Sequence, residues 1–461
     1  MDAGFYQITS IGFLPERCLA TLPPQFSHLQ PILDNFSTPD IQFFRSLIWA
    51  LPKYNAQDYS TKNLSLEEKR FLYSIFTMMS QKYVWGAGDG IPMQVIPAEV
   101  GVPILELSKE MGIAPVMTYA GSILYNWGLI DENQPLTLDN LKVNYKLLEG
   151  SAYEWFCIVH TAIEAQGGKI MKHILNLEKD MKEGNNAALK ETIKEVTQVI
   201  KDTGLVLGRM YERCPPQDFW SFRFYFEGTN MVESFPNGLH VEGFEEEKIH
   251  YRGASGGQSS LIQIFDAFFS IEHDGHSKQF LDEMRDYMPG VHRAFVEDFR
   301  KGNSLKEYIK NSDDEELVTL YKDGLDGFIA YRQFHYKLVH DYVFQIVKGR
   351  LAAEERQPVQ KQKETGAAEE PKKEQHLYKK NELGTGGTDP RIFLQDVIKD
   401  TRSAKVIREK VEVEEIEKKK VVDNNGKELS LRLGFDTKQV QNVLFSLAVA
   451  IAGTLLIRLI I

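Results

Sequence analysis

The 461-residue sequence predicts an all-α fold with three parts: a small N-terminal domain, a larger helical domain and a C-terminal hydrophobic helix. Three observations predict it. Apolar residues recur at offsets of three, four and seven, the spacing that lines one face of a helix. Little in the chain alternates with the period of two expected of half-buried strands. Finally, residues 439–457 carry no charge and stand at the very end of the chain.

Residues 1–147 read as the small domain. Its start is rich in proline and aromatic residues (Phe13-Leu-Pro15, Pro23-Pro24), as expected of an irregular arm laid on a surface. Helical patterns follow at 38–51, 65–84 and 104–111, interrupted by Gly86-Ala-Gly88 and Pro92. The larger domain, 148–405, opens near Gly150 with a helical run at 151–177. A Gly184-Asn185 turn leads into a second run at 185–214, and residues 228–258 form a loop-rich stretch of glycines and acids. Shorter helices are expected at 261–272, 277–286 and 291–300. Ser312-Asp-Asp-Glu315 has the form of a capping box, so a helix should start there and run to about Lys348.

The run 351–380 is dense in Glu, Lys and Gln and nearly free of large apolar residues, which predicts a disordered loop. Residues 406–438 read as a charged linker with a helix at 406–420 and a turn at Asp423-Asn-Asn-Gly426. Residues 439–461 approach the ~20 apolar residues that cross a bilayer, and Arg458 is close enough to the end to snorkel. The expectation is a transmembrane tail anchor in an intracellular membrane, with the rest of the chain cytoplasmic; a core helix is the alternative.

Composition narrows the function. A net charge of -11 supplies no basic footprint for nucleic acid. The 43% hydrophobic content suits a globular core. Three widely spaced cysteines, Cys18, Cys157 and Cys214, argue against a disulfide framework and fit a reducing compartment. No basic N-terminal region or early apolar run suggests a secretory signal.

Within the helix after Ser312, Phe328, Tyr331, His335, Leu338, Tyr342 and Ile346 share one face. His335 therefore points into apolar, aromatic surroundings with no carboxylate or thiolate one turn away. A neutral imidazole in a dry, flat slot suits the axial ligand of a haem iron. The alternative is a core histidine bonded to a backbone carbonyl. His340 falls on another face, beside Lys337 and Asp341, and should be solvated. With no Cys-x-x-Cys-His in the chain, any haem would be held without covalent attachment.

Other segments belong with this helix. They are Arg332-x-x-His335, the loop Gly253-Ala-Ser-Gly-Gly-Gln-Ser-Ser260 followed by Asp266, and Gly384-Thr-Gly-Gly-Thr388. Upstream stand Tyr119, Asn126-Trp127, Pro135-Leu-Thr and Arg223-Phe-Tyr-Phe-x-Gly228. Together, from about Tyr6 to Lys405, they resemble indoleamine 2,3-dioxygenase, a monomeric haem enzyme that opens the indole ring of tryptophan.

The resemblance implies one haem b (iron protoporphyrin IX) per chain, with His335 as its metal ligand. Arg332 would reach a propionate and pair with Asp266, while Ser255, Ala254 and Gly256 close the pocket roof over the cofactor. Arg223 would bind the carboxylate of L-tryptophan, because a forked, always-charged donor suits that geometry. Phe219, Phe156, Tyr119, Ser122, Ile123 and Thr385 match the substrate pocket, although Phe219 lies one residue closer to the arginine than in the family. His160 stands where the mammalian indoleamine enzymes commonly carry serine. It resembles the distal histidine of tryptophan 2,3-dioxygenase, and is the candidate catalytic group.

The implied reaction joins O2 to L-tryptophan across the indole C2–C3 bond and yields N-formylkynurenine, the first step of the kynurenine pathway. Two rivals remain. One is an oxygen-binding haem protein of the kind found among molluscan myoglobins; the other is a membrane-tethered interaction protein without turnover. Taken alone, the glycine loop could cradle phosphate, but it lacks the P-loop lysine and the strand-then-helix setting. His273-Asp-Gly-His276 offers two histidines without further metal ligands.

Overall fold

The computed structural model describes residues 2–88, 90–230, 233–349 and 384–405. The expected disordered loop at 351–380, the charged linker at 406–438 and the tail at 439–461 lie outside these described residues. Residues Met1–Ile407 form one compact unit, and the boundary expected near 147 falls inside it. One large apolar core cluster runs through this unit, with members from Tyr6 to Ala404, and three small clusters flank it.

Local chemistry accounts for the helices of the first third. Helix α1 (Ile41–Trp49) starts where the Asp40 carboxylate accepts from Phe43 N at 2.9 Å. Helix α2 (Leu66–Trp85) has both halves of a capping box, Ser65 with Glu68, and stops at Gly86 with φ of 60°. Helix α3 (Ala98–Met111) begins upstream of the expected 104, with Pro103 inside it.

The run expected at 151–177 is two helices, α4 (Ser151–Gln166) and α5 (Gly168–Lys182). They divide because a Cβ on Gly168 would lie 2.3 Å from the Ser10 carbonyl; the two glycines let the N-terminal arm come against the backbone. Helix α6 (Asn186–Gly208) follows, capped by Asn185, and α7 (Pro216–Phe222) continues into a 3-10 turn, Arg223–Phe226.

Helices α8 (Ser260–Phe268), α9 (Gly275–Met284) and α10 (Gly290–Gly302) correspond to the three short expected ones. Helix α11 (Glu315–Val339) is capped by Asp314, whose carboxylate accepts from Leu317 N at 3.2 Å. The capping role expected of Ser312 therefore moves two residues along. A wide π-type turn, His340–Phe344, interrupts the helix before it resumes at 345–349. Helix α12 (Pro390–Ser403) is capped by Asp389.

The fold is mostly helical, as expected, with two small sheets besides. Strands β1 (Val95–Ile96), β4 (Leu239–Val241) and β5 (Phe244–Ile249) form a three-stranded sheet, β1 parallel and β5 antiparallel to β4. Strands β2 (Trp127–Leu129) and β3 (Leu141–Val143) form an antiparallel pair. Strands of two or three residues are too short to show a period-two pattern, and β5 carries four charged residues in a row, so tertiary pairing creates them.

The expectation of a membrane span is corrected to this: among the described residues no helix is long and apolar enough to cross a membrane, and residues 439–461 lie outside them. The long helices mix charge with apolar residues. Even α2, buried along most of its length, carries Arg70 and Lys82 within the protein core.

What positions the candidate site is the packing of α6 along α11. Gly204 and Gly208 of α6 face the Tyr331 and Phe334 rings of α11, with room for close approach. Helix α12 lies on the same α11, C-terminal to its midpoint.

Candidate active site

One large cavity dominates the described structure, with an empty volume of about 1190 Å³ including its open mouth. Its walls come from segments spread along the chain between Tyr119 and Leu394. The segment before β2 supplies Tyr119, Ser122 and Ile123; α4 supplies Phe156 and His160; α7 and the turn after it supply Phe219 and Arg223. The glycine loop contributes Ala254, Ser255 and Gly256, α11 contributes His335, and the loop before α12 contributes Thr385.

His335 stands on the cavity wall, and neither ring nitrogen bonds to another described residue. Burial, reinforced by His160 and Arg332, holds its pKa down to about 4, so the imidazole is neutral and its nitrogen lone pair is available. The core-histidine alternative required a backbone carbonyl partner. His340, by contrast, has a side chain 43% exposed and lies 3.4 Å from Asp341.

His160 sits opposite in chemistry. Its Nδ1 is 2.7 Å from the Phe156 carbonyl one turn back. A carbonyl can only accept, so Nδ1 carries the proton. Burial lowers the His160 pKa despite that bond, which keeps the ring neutral and leaves Nε2 as an acceptor. Its ring lies 4.4 Å from Phe156 and 6.2 Å from Tyr119 between centroids.

Arg223 is 3% exposed, with its guanidinium 4.9 Å from the Trp220 ring. Burial lowers its pKa, opposed by Glu227. Phe219 packs 5.4 Å from Phe156 and 5.6 Å from Tyr342, so the one-residue shift in its spacing leaves it on the cavity wall.

Arg332 and Asp266 do not line the cavity. Arg332 is buried, with Nη2 2.5 Å from Asp266 and Nη1 on the Val397 carbonyl at 3.1 Å and on the Thr401 hydroxyl. Burial would raise the Asp266 pKa, but Arg332 and His273 prevail and hold it below the usual carboxylate range. The pairing of Arg332 with Asp266 is present, while the guanidinium turns toward α12 and away from the cavity.

Several contributors had little sequence signal. Val339 and Val343 line the cavity around the wide turn after α11, beside Leu338 and Tyr342, which spacing on the His335 face already indicated. Tyr342 donates to the Cys214 carbonyl at 2.5 Å. Gln258 accepts from Tyr119 N and donates to the Gly253 carbonyl, both at 2.8 Å, and so ties two walls together. Thr385 closes a third joint by donating to the Ala254 carbonyl at 2.6 Å. Behind Tyr119, the buried Glu164 accepts from Ser259 at 2.5 Å; burial raises its pKa to about 7. Only the spacing of Glu164 one turn after His160 could have flagged it.

Comparison with known proteins follows the same chain order. Residues 2–404 match the family model described as indoleamine 2,3-dioxygenase. Human indoleamine 2,3-dioxygenase 2 is 29% identical over 277 residues, covering 60% of this chain and 68% of that protein. An Aspergillus nanangensis indoleamine 2,3-dioxygenase is 27% identical over 429 residues, covering 88% of this chain and 97% of the other. A Haliotis madaka myoglobin is 26% identical over 339 residues, covering 72% and 86%. With one model spanning almost all of the described residues, the chain belongs to the indoleamine 2,3-dioxygenase family.

Proposed function

We propose that this protein is a haem-dependent dioxygenase that cleaves the indole C2–C3 bond of L-tryptophan to give N-formylkynurenine. The observation that carries the reading is one apolar cavity with a neutral imidazole on one wall, without a hydrogen-bond partner among the described residues, and a buried guanidinium on another. The residues fit a haem. His335 offers a nitrogen lone pair, the surrounding Leu338, Val339, Phe393 and Leu394 supply a dry slot, and a Cβ on Gly256 would meet nothing within 4 Å. Bound there, haem supplies the oxygen chemistry that no side chain of this cavity can.

The protein residues bind and orient. Arg223 takes the substrate carboxylate as a forked cation in surroundings poor in water. Phe156 and Phe219 hold the indole ring between aromatic faces. His160 accepts the indole N–H at Nε2. With Nδ1 committed to the Phe156 carbonyl, the neutral ring has no proton to offer bound oxygen, which supports tryptophan cleavage over oxygen storage. Tyr119 and Ser122 complete the polar edge, and the joints through Gln258 and Thr385 keep the walls in register.

The test uses purified full-length protein reconstituted with haem and reduced. With L-tryptophan and oxygen it should form N-formylkynurenine. Reversible oxygen uptake with no product would replace this reading with the oxygen-binding one.

A further inference from the structure

Outside the cavity wall lies a second polar cluster that the proposed chemistry does not use. Its centre is His273, 92% buried by its 8% exposure, in the loop between α8 and α9. Its Nδ1 is 2.9 Å from Asp400 on α12, and its Nε2 is 3.4 Å from Asp266 on α8. Ser277 also donates to Asp400 at 2.9 Å. Arg332, from α11, contacts Asp266 and reaches Val397 and Thr401 on α12. Further out, Glu272, Lys278, Asp282, Arg285 and Arg300 border the same small polar recess. Lys278 and Arg285 both pair with Asp282 there.

Charge balance identifies the role of the histidine. Among the groups in direct contact, two buried carboxylates, Asp266 and Asp400, meet one permanent cation, Arg332, while Lys278, Arg285 and Arg300 stand further out with Glu272 and Asp282. A protonated His273 completes the balance; a neutral one leaves a buried negative charge uncompensated, which is costly in a low-dielectric interior. The consequence reaches the cavity because α12 and the loop before it form its wall through Thr388, Pro390, Phe393 and Leu394.

We propose that His273 is a positioning residue: as an imidazolium bridging Asp266 and Asp400, it clamps α12 and with it the cavity wall, and releases the clamp when it loses its proton. Burial alone would lower the His273 pKa, but Asp266 and then Asp400 outweigh it, and the net direction is upward from 6.5. A folded-state pKa above the unfolded value gives stabilisation that is complete below pH 6.5 and is lost as pH rises through the folded value. The clamp is thus closed in mildly acidic and opens in alkaline solution. It rests on contacts outside the cavity and is independent of the reaction assigned to it.

Hydrogen exchange of the full-length protein tests this directly. The exchange rate of α12 amides, divided by that of α2 amides in the same sample, removes the intrinsic pH dependence. Between about pH 6 and about pH 9 the wild-type ratio should rise about tenfold, the worth of one charge-assisted hydrogen bond. His273→Asn keeps an N–H near the Nδ1 position without a titrating charge, and its ratio should not change with pH. Asp400→Asn should flatten the profile as well, and decides the matter if the histidine variant does not fold. A pH-independent ratio in the wild type, or an equal rise in His273→Asn, overturns the clamp.

Discussion

At the residue scale the site rests on two histidines kept neutral by burial, His335 and His160, and on the buried guanidinium of Arg223. His335 is neutral because burial, with His160 and Arg332 beside it, lowers its pKa to about 4. His335→Ala should therefore yield a folded protein that takes up little haem and lacks a strong Soret band, while His340→Ala keeps both. The opposite pattern would contradict the assignment. Arg223→Ala removes a charged hydrogen-bond partner worth roughly 1.5–3 kcal/mol, so kcat/KM for L-tryptophan should fall by one to two decades or more. Unchanged kinetics would exclude a carboxylate contact. His160, held in its acceptor form by the Phe156 carbonyl, should recognise an indole N–H. His160→Ser should then alter the preference for tryptophan over 1-methyltryptophan, which has no such proton; an identical preference in both proteins counts against the contact.

At the element scale, backbone approach matters more than helix propensity. The glycine loop can lie against the turn after α7 only without a side chain at Gly253, where a Cβ would stand 2.0 Å from the Phe226 carbonyl and 2.6 Å from that of Thr385. Gly256, three residues on, has open space. Gly253→Ala should destabilise by about 1–3 kcal/mol or more through overpacking, and Gly256→Ala by far less. Thermal unfolding of the two variants side by side checks this, and equal Tm values would show that the loop relaxes freely. Similar reasoning explains the division of the expected 151–177 run: Gly167 and Gly168 end α4 because the N-terminal arm passes there. The wide turn after α11 is likewise a packing solution, since it places Tyr342 where its hydroxyl meets the Cys214 carbonyl.

For the whole molecule, one buried cation joins distant parts of the chain. Lys82 of α2 is fully buried and donates to the carbonyls of Phe36, Thr38 and Leu147 at 2.7, 2.8 and 2.8 Å. These contacts tie the N-terminal arm and the approach to α4 to one helix, inside the compact unit Met1–Ile407. Lys82→Met should leave three buried carbonyls without a donor, each costing about 1 kcal/mol or more, for a loss of roughly 3 kcal/mol in a urea titration. A loss below about 1 kcal/mol would mean that the carbonyls find other donors.

The sequence by itself determined the helical class, most helix positions and the family. Periodicity, capping residues and the ordered motifs around Arg223, the glycine loop and His335 are local signals that survive without coordinates. Through the family resemblance it also singled out cavity-lining residues from Tyr119 to Thr385, though not Leu207, Met210, Val339 or Val343. Tertiary structure alone decided the rest. The short strands exist only by pairing across distant segments, and the direction of the Arg332 guanidinium depends on where α12 lies. The tautomer of His160 follows from a 2.7 Å contact, and His273 meets Asp400 from 127 positions away. Those features are set by distance and burial between remote parts of the chain, which neither composition nor periodicity encodes.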